Sequence, residues 1–324
     1  MLSKGVGNDV PRSATCCRIC GSTSLGPRIV LKERMIGIQE CFEYQRCSGC
    51  GCLQIVSKPK NIETYYASEY YSYAPLQSHR WKVMLRSKLA INGPKWLFSG
   101  RSWWEAGHLR SLRESRISRS DRILDLGCGS GHLIAALRDI GFRHVLGVDP
   151  FIAAEILHRN GTRVLKCEAG EVTGQFDLVM MHHSLEHVWD QHQIMNDIAR
   201  LLAPAGRCII RIPTIDSWAW EEYGPDWVQL DPPRHFYLHS RGSISRLLES
   251  VGLKVSAIVD DSWAFQILGS EKVRRGYSLL DPETGRPDYA ACLPADLVAL
   301  APRRAQQLNR NKRGDAIAVH ARLS

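Results

Sequence analysis

From residue 121 onward, apolar runs of strand length alternate with stretches of helical periodicity. RILDL (122–126) runs into glycines and is followed by helical HLIAALRDIG. VLGV (145–148) ends at Asp149 and is followed by PFIAAEILHRNG, which reads as a second helix. A short strand at 163–166 comes next, then FDLVMM (176–181) and a helix through Leu202. RCIIRI (207–212) is another strand. Helix SRGSISRLLESVG precedes strand LKVSAIVD, and AIAVHA (316–321) is the last strand. Residues 270–312 or so read as helices inserted before that strand, with no chemistry attached to them. The alternation predicts an α/β fold built on a doubly wound, mostly parallel sheet. Ligands of such sheets sit beyond the carboxyl ends of the strands.

The preceding residues have a different texture. Residues 1–14 read as a flexible leader, 15–57 as a compact unit, and 58–118 as a helical connector rich in Tyr and Trp. Pro75 and the pair Gly93-Pro94 break that connector. Its tyrosines 65, 66, 70, 71 and 73 either pack as a hinge or line a cleft. Residues 119–324 then form the α/β domain. With 44% hydrophobic and 23% charged residues, the chain fits a folded globular protein. No apolar run reaches the roughly 20 residues of a membrane span, and the first residues lack the apolar core of a secretory signal. A cytoplasmic protein is expected. The formal net charge of +9 favours anionic partners such as nucleic acid, phosphates or an acidic glycan.

The most informative motif is Asp125-Leu-Gly-Cys-Gly-Ser-Gly131, which follows an apolar strand and opens a helix. Gly127 and Gly129 allow a sharp turn and close approach to a ligand, and Gly131 allows helix to pack on strand. Asp149 ends the next strand, 18 residues after Gly131, where a carboxylate can accept from both hydroxyls of a ribose. Glycines alone also suit a nicotinamide or flavin. The full pattern DxGxGxG, with an acid before the first glycine, resembles motif I of class I S-adenosylmethionine-dependent methyltransferases. FDLVMMHHSLEHVWD, LLAPAGRCIIRIP, DWVQLDPPRHFYLHS and LLESVGLKV also resemble segments of that family, in the same order. The resemblance implies a Rossmann-like seven-stranded sheet with its last strand antiparallel. It further implies that Asp125 holds the methionyl end of S-adenosylmethionine through its ammonium group and that Asp149 is the acid of motif II. Cys167, Glu168 and Ala169 would frame the adenine, with Glu168 as partner of N6. Residues 181–183, His183 included, would face the methionyl group.

Seven of the eleven cysteines precede residue 53. Cys17-x-x-Cys20 and Cys47-x-x-Cys50 supply the four thiolates of a closed tetrahedral zinc site. Cys16, Cys41 and Cys52 are spare. Buried free thiols and an iron–sulfur cluster are the other readings. The paired knuckles followed by YYASEYYSY resemble the N-terminal zinc-binding module of a subset of class I methyltransferases. Many of that subset act on sugars, surface glycans or secondary metabolites, and the resemblance implies structural zinc.

Two histidine clusters fall on the acceptor side: His182-His183-Ser-Leu-Glu186-His187 after the fourth strand, and Asp231-Pro-Pro-Arg234-His235 after the fifth. Methyl transfer to a hydroxyl needs alignment and removal of a proton, which neutral imidazole suits. His235 is expected as general base, with Arg234 orienting an anionic or hydroxylated acceptor and His187 beside them. The other reading is that Arg234 and His235 pin their loop to the core. His183-x-x-Glu186-His187 with His235 also partly resembles the Glu-x-x-Glu-His plus His metal set of small-RNA 3′-terminal 2′-O-methyltransferases, with His183 replacing the first Glu. Trp218, Trp220, Tyr223 and Trp227 either stack on an acceptor or form a packed lid. The expected function is O-methylation, or else C-methylation, of a sugar-containing small molecule or surface-glycan intermediate. An RNA methyltransferase and a non-catalytic cofactor-binding scaffold are the alternatives. The chain has no recognisable RNA-binding appendage.

Overall fold

The protein is described by a computed structural model over residues 15–66, 107–281, 284–285 and 287–323. Within these, the N-terminal strands are β1 (Leu25–Lys32), β2 (Cys41–Cys47) and β3 (Leu53–Ile55). The α/β region follows with α1 (Gly107–Glu114), β4 (Arg122–Leu126), α2 (His132–Asp139), β5 (His144–Val148), β6 (Ile156–Leu157), β7 (Arg163–Leu165) and β8 (Phe176–His182). Then come α3 (Gln191–Leu201), β9 (Leu202–Pro213), α4 (Trp218–Tyr223), β10 (Tyr237–Leu238), α5 (Arg241–Glu249) and β11 (Leu253–Asp260). The chain closes with α6 (Phe265–Arg274), α7 (Tyr289–Cys292), α8 (Ala295–Arg310) and β12 (Ala316–Leu323).

The large sheet has the order β11-β12-β9-β8-β4-β5-β7-β6. Strands β9, β8, β4, β5 and β7 are parallel, whereas β12 runs antiparallel to both of its neighbours. This is the expected Rossmann-like, mostly parallel sheet with its last strand antiparallel. The seven expected strands gain an eighth, the two-residue β6 at the edge. Alternate residues of the inner strands feed opposite faces, as the two-residue period requires. Leu124, Val179, Met181, Ile210 and Ile212 pack with Met195, Ile198 and Leu201 of α3 and Ile244 and Leu247 of α5. Ile123, Leu178, Met180 and Ile209 pack on the other side with Leu112, Ile134 and Leu137.

The second helix expected, over 150–161, is replaced by a bent segment and a hairpin. β6 pairs antiparallel with β7, and His158 N donates to Thr162 O at 2.9 Å. Asn160-Gly161 makes this turn: Gly161 has φ +80°, and Asn160 Oδ1 accepts from Thr162 N. The helix after β8 starts late, because 183–190 form a loop with a 3₁₀ turn at Leu185–His187. Asp190 caps the helix by accepting from Gln193 N at 3.0 Å. The inserted helices begin at Phe265, and Ile267, Leu268, Leu293, Ala301 and Leu308 form their own small core.

The cysteine-bearing segment shares its sheet with the α/β region. Its order is β1-β2-β3-β10, so a strand from the loop after β9 completes it. Tyr44 on β2 is wholly buried and donates its hydroxyl to His235 O at 2.8 Å. Arg18 stacks over Trp189 and Tyr237. The apolar residues of this segment and of one face of the large sheet form a single cluster.

Candidate active site

Two buried carboxylates flank the glycine turn after β4. Asp149 Oδ2 accepts from Gly129 N at 2.8 Å, and its Oδ1 accepts from Phe151 N at 2.9 Å. The acid at the end of β5 therefore shapes the turn at the end of β4. Asp125 is also buried, and among the described residues its Oδ1 has no hydrogen-bond partner. Burial pushes the Asp125 carboxyl well above its usual range, and the Asp149 charge adds to the effect. Burial also raises Asp149, against the lowering by its backbone N–H donors.

The turn leaves no room for a side chain at two of its glycines. Gly127 has φ +71°, and a Cβ there would lie 2.6 Å from Ser184 Cβ. Gly131 has φ +76°, and its Cβ would lie 2.5 Å from Val164 Cγ2. Gly129 also has positive φ. Ser184 Oγ donates to Leu126 O at 3.0 Å, and His158 Nε2 donates to Ser130 O at 2.8 Å. Neither brace was singled out from sequence, although Ser184 lies inside the HHSLEH motif. Phe151, directly after the Asp149-Pro150 pair, is 77% exposed and was also missed. Glu168 is exposed at the carboxyl end of β7, where it opens a 3₁₀ turn, and its N–H donates to Glu171 Oε2.

An imidazole–carboxylate cluster lies on the acceptor side. His183 directly follows β8 with φ +51°, held by its N–H donating to Arg211 O at 2.8 Å. Its Nδ1 lies 3.4 Å from Glu186 Oε1. The Glu186 side chain is 1% exposed and that of His183 33%. The Glu186 carboxyl is held at about 2, burial opposing and the neighbouring imidazoles His183, His235 and His187 outweighing it. His187 is pushed down to about 4 by burial and by the charge of His235. His187 and His235 meet edge to face, ring centroids 4.7 Å apart. Tyr66 Oη lies 3.1 Å from His187 Nδ1, whereas Tyr65 packs against Phe42. Tyr70, Tyr71 and Tyr73 lie outside the described residues.

Arg234 does not face an acceptor. It is wholly buried, its Nε donates to both oxygens of Asp231 at 3.0 Å, and its Nη2 pairs with Asp231 and with Glu33. Nη1 donates to Tyr65 O at 2.7 Å. The expectation that Arg234 orients the acceptor is corrected: the side chain is wholly buried and each of its three nitrogens is engaged in holding the loop. His235 is 5% exposed, and its Nδ1 donates to Gln229 O at 2.7 Å. The aromatics after β9 are packed. Trp227 is 1% exposed and donates Nε1–H to Asp315 Oδ2, Tyr223 is buried, Trp218 meets Tyr223 edge to face, and Trp220 meets Trp227.

Cys17, Cys20, Cys47 and Cys50 converge, with all four sulfurs within 4.8 Å of one another. Two of the separations, Cys17–Cys50 and Cys20–Cys47, are 3.6 Å. Four thiolates about 2.3 Å from a tetrahedral zinc would stand ~3.8 Å apart. Each knuckle is closed by a backbone bond, Gly21 N to Cys17 O and Gly51 N to Cys47 O. Cys16, Cys41 and Cys52 stand outside the group.

Residues 104–258 match the family model described as a methyltransferase domain. A ubiquinone biosynthesis O-methyltransferase of Maricaulis maris is 33% identical over 128 residues, covering 35% of this chain and 49% of that protein. The C-methyltransferase NovU of Streptomyces niveus is 28% identical over 164 residues, covering 46% and 37%. The chain thus spans about half or less of these curated relatives. Among solved structures, an S-adenosylmethionine dependent methyltransferase from Mesorhizobium loti aligns at TM-score 0.41 and 17% identity, covering 67% of this chain and 98% of that one. Among the described residues, no helix is long and apolar enough to cross a membrane.

Proposed function

We propose that the chain transfers a methyl group from S-adenosylmethionine to a hydroxyl of a sugar-containing small molecule or glycan intermediate. The observation that carries this reading is the buried Asp125 carboxyl, whose Oδ1 has no hydrogen-bond partner among the described residues, beside the glycine turn. A buried carboxylate demands a compensating cation, and the ammonium of the methionyl end fits that demand. Asp149 suits the ribose hydroxyls, while Glu168 and the exposed Phe151 suit the adenine edge and face. The cofactor brings an activated, electrophilic methyl group, so the protein's tasks are to align the acceptor and take its proton. We assign that proton to His183 rather than to the expected His235. His183 is partly open and stands beside Glu186, whose charge would stabilise the imidazolium formed, whereas His235 is buried and His187 has its Nδ1 against Arg234 O. The names of the relatives, one an O-methyltransferase and one a C-methyltransferase, support methyl transfer to a small molecule. The four cysteines hold structural zinc in this reading.

Calorimetry with S-adenosylhomocysteine, followed by labelled methyl transfer into fractionated small-molecule and glycan extracts, tests the proposal. Binding that is lost in Asp149→Ala, and label in a glycoside fraction, are expected. Indifference to the cofactor with tight binding of a nicotinamide or flavin would sink it. Salt-sensitive labelling of RNA instead would favour the nucleic-acid alternative.

A further inference from the structure

We infer that Glu186, His187 and His235 hold a divalent transition metal, a second metal site distinct from the four cysteines. The inference of its ligand, the acceptor hydroxyl, rests on the methyltransferase reading; the metal site itself does not.

One ligand atom from each of the three residues lies within 4.8 Å of the others. The imidazoles are prepared for ligation. A backbone carbonyl can only accept, so the Nδ1 of His187, 2.9 Å from Arg234 O, carries a hydrogen in the neutral ring. The same holds for His235 Nδ1, 2.7 Å from Gln229 O. Each ring therefore keeps its Nε2 lone pair for another partner. Fixing one nitrogen on a carbonyl so that the other presents a lone pair is how metal-binding histidines are oriented. Both carbonyls belong to the 229–235 loop, which Arg234 clamps through Asp231 and Glu33. The geometry is thus built on a rigid support.

Glu186 supplies the second observation. Its side chain is 1% exposed, and neither carboxylate oxygen has a hydrogen-bond partner among the described residues. The approach of His183 Nδ1, at 3.4 Å from Oε1, is too loose to satisfy it. A carboxylate removed from water and left without donors is costly, and a cation at this point relieves that cost directly. Two imidazoles and one carboxylate are a set that suits zinc, iron, cobalt or manganese better than magnesium. Three protein ligands leave positions open, as in catalytic rather than closed sites. An acceptor hydroxyl bound there would become more acidic, and His183 is placed to receive its proton.

Cobalt(II) titrated into protein reconstituted with a single equivalent of zinc, which fills the four-thiolate site and leaves the second site empty, tests this, because a nitrogen–oxygen site gives visible d–d absorption without the thiolate charge-transfer band of a cysteine site. One cobalt per chain with d–d absorption alone is expected, with affinity falling more than about tenfold in either Glu186→Gln or His235→Ala. Two variants are used so that one that fails to fold does not decide the matter; retained S-adenosylhomocysteine binding reports folding. Absence of cobalt absorption in the unaltered protein overturns the site, as does an unchanged cobalt affinity in a folded variant. Cobalt bound by a protein that ignores S-adenosylhomocysteine would uphold the metal site and sink the methyltransferase reading.

Discussion

Arg234 Nη2 and Glu33 Oε1 lie 2.9 Å apart, both side chains wholly buried, across 201 positions of sequence. This pair joins the β1–β2 connection to the loop that carries His235. Glu33 is held in turn, accepting from Met35 N and Ile36 N through Oε1 and from Ile38 N through Oε2. Removing one partner of such a pair strands the other charge. Arg234→Leu should cost about 3–5 kcal/mol in urea unfolding. Arg234→Lys keeps the charge but not the fork that serves two carboxylates, and should cost less. A loss below ~1 kcal/mol for the leucine variant would contradict the clamp.

Asp125 makes cofactor affinity depend on pH. Burial and the neighbouring Asp149 charge raise its carboxyl in the free protein, so part of the population is neutral where a surface aspartate is ionised. An ammonium ligand favours the ionised form, so binding releases a proton below the Asp125 pKa. S-adenosylhomocysteine affinity should therefore rise with pH and level off above that pKa. Asp125→Asn should weaken binding by more than ~10-fold, about 1.4 kcal/mol, and flatten the profile. Calorimetry in buffers of differing ionisation heat reads both the affinity and the proton released. An unchanged slope in the asparagine variant would remove Asp125 from the binding event.

The parallel strands and the glycine turn were legible because their signals are local. RILDL and FDLVMM are continuous apolar runs, and Asp149 falls at the end of its strand. The helix expected over 150–161 was misread from apolar residues at helical spacing. Asn160-Gly161, a local hairpin signal, decides that segment. The pairing of β3 with β10 brings Gln54 to Tyr237, and no local pattern announces a partner that distant. The fate of Arg234 was illegible for the same reason. An arginine beside a histidine looks like acceptor chemistry until the buried Glu33 is found next to it. The four cysteines were legible as a set through their spacing, whereas the orphaned carboxylate of Glu186 required the fold.

The zinc proposed for the cysteine knuckles should matter beyond them. Loop residues of the α/β region complete the cysteine-bearing sheet, and Tyr44 bonds the backbone of His235. Metal analysis should give one zinc that is lost in Cys20→Ser and retained in Cys41→Ser, since Cys41 is exposed and outside the group. Stripping that zinc should lower the unfolding midpoint by more than about 5 °C, because binding energy at such sites is folding energy. Zinc retained in full by both Cys20→Ser and Cys47→Ser would rule out this ligand set.

Asp315 should make the protein less stable as pH rises. Its side chain is buried, and Oδ2 accepts from Trp227 Nε1 at 2.9 Å. Burial pushes the carboxyl up to about 6, against the lowering by the hydrogen bonds of Trp227 and Ser262 and the charge of His183. The unfolded chain releases this proton near pH ~3.9. Between those values the unfolded state binds fewer protons than the folded one. The contribution of Asp315 to stability is therefore full below about pH 4 and lost as pH rises through about 6. A shift of roughly two units corresponds to about 3 kcal/mol, an upper figure for the loss by pH ~8. Asp315→Asn cannot ionise and keeps an oxygen for Trp227. It should match the wild type near pH ~4 and exceed its stability near pH ~8 by up to that amount. Urea unfolding at intervals across this range separates the two curves. If the variant is no more stable at the alkaline end, Asp315 is ionised at little cost and the Trp227 bond alone accounts for its place in the core.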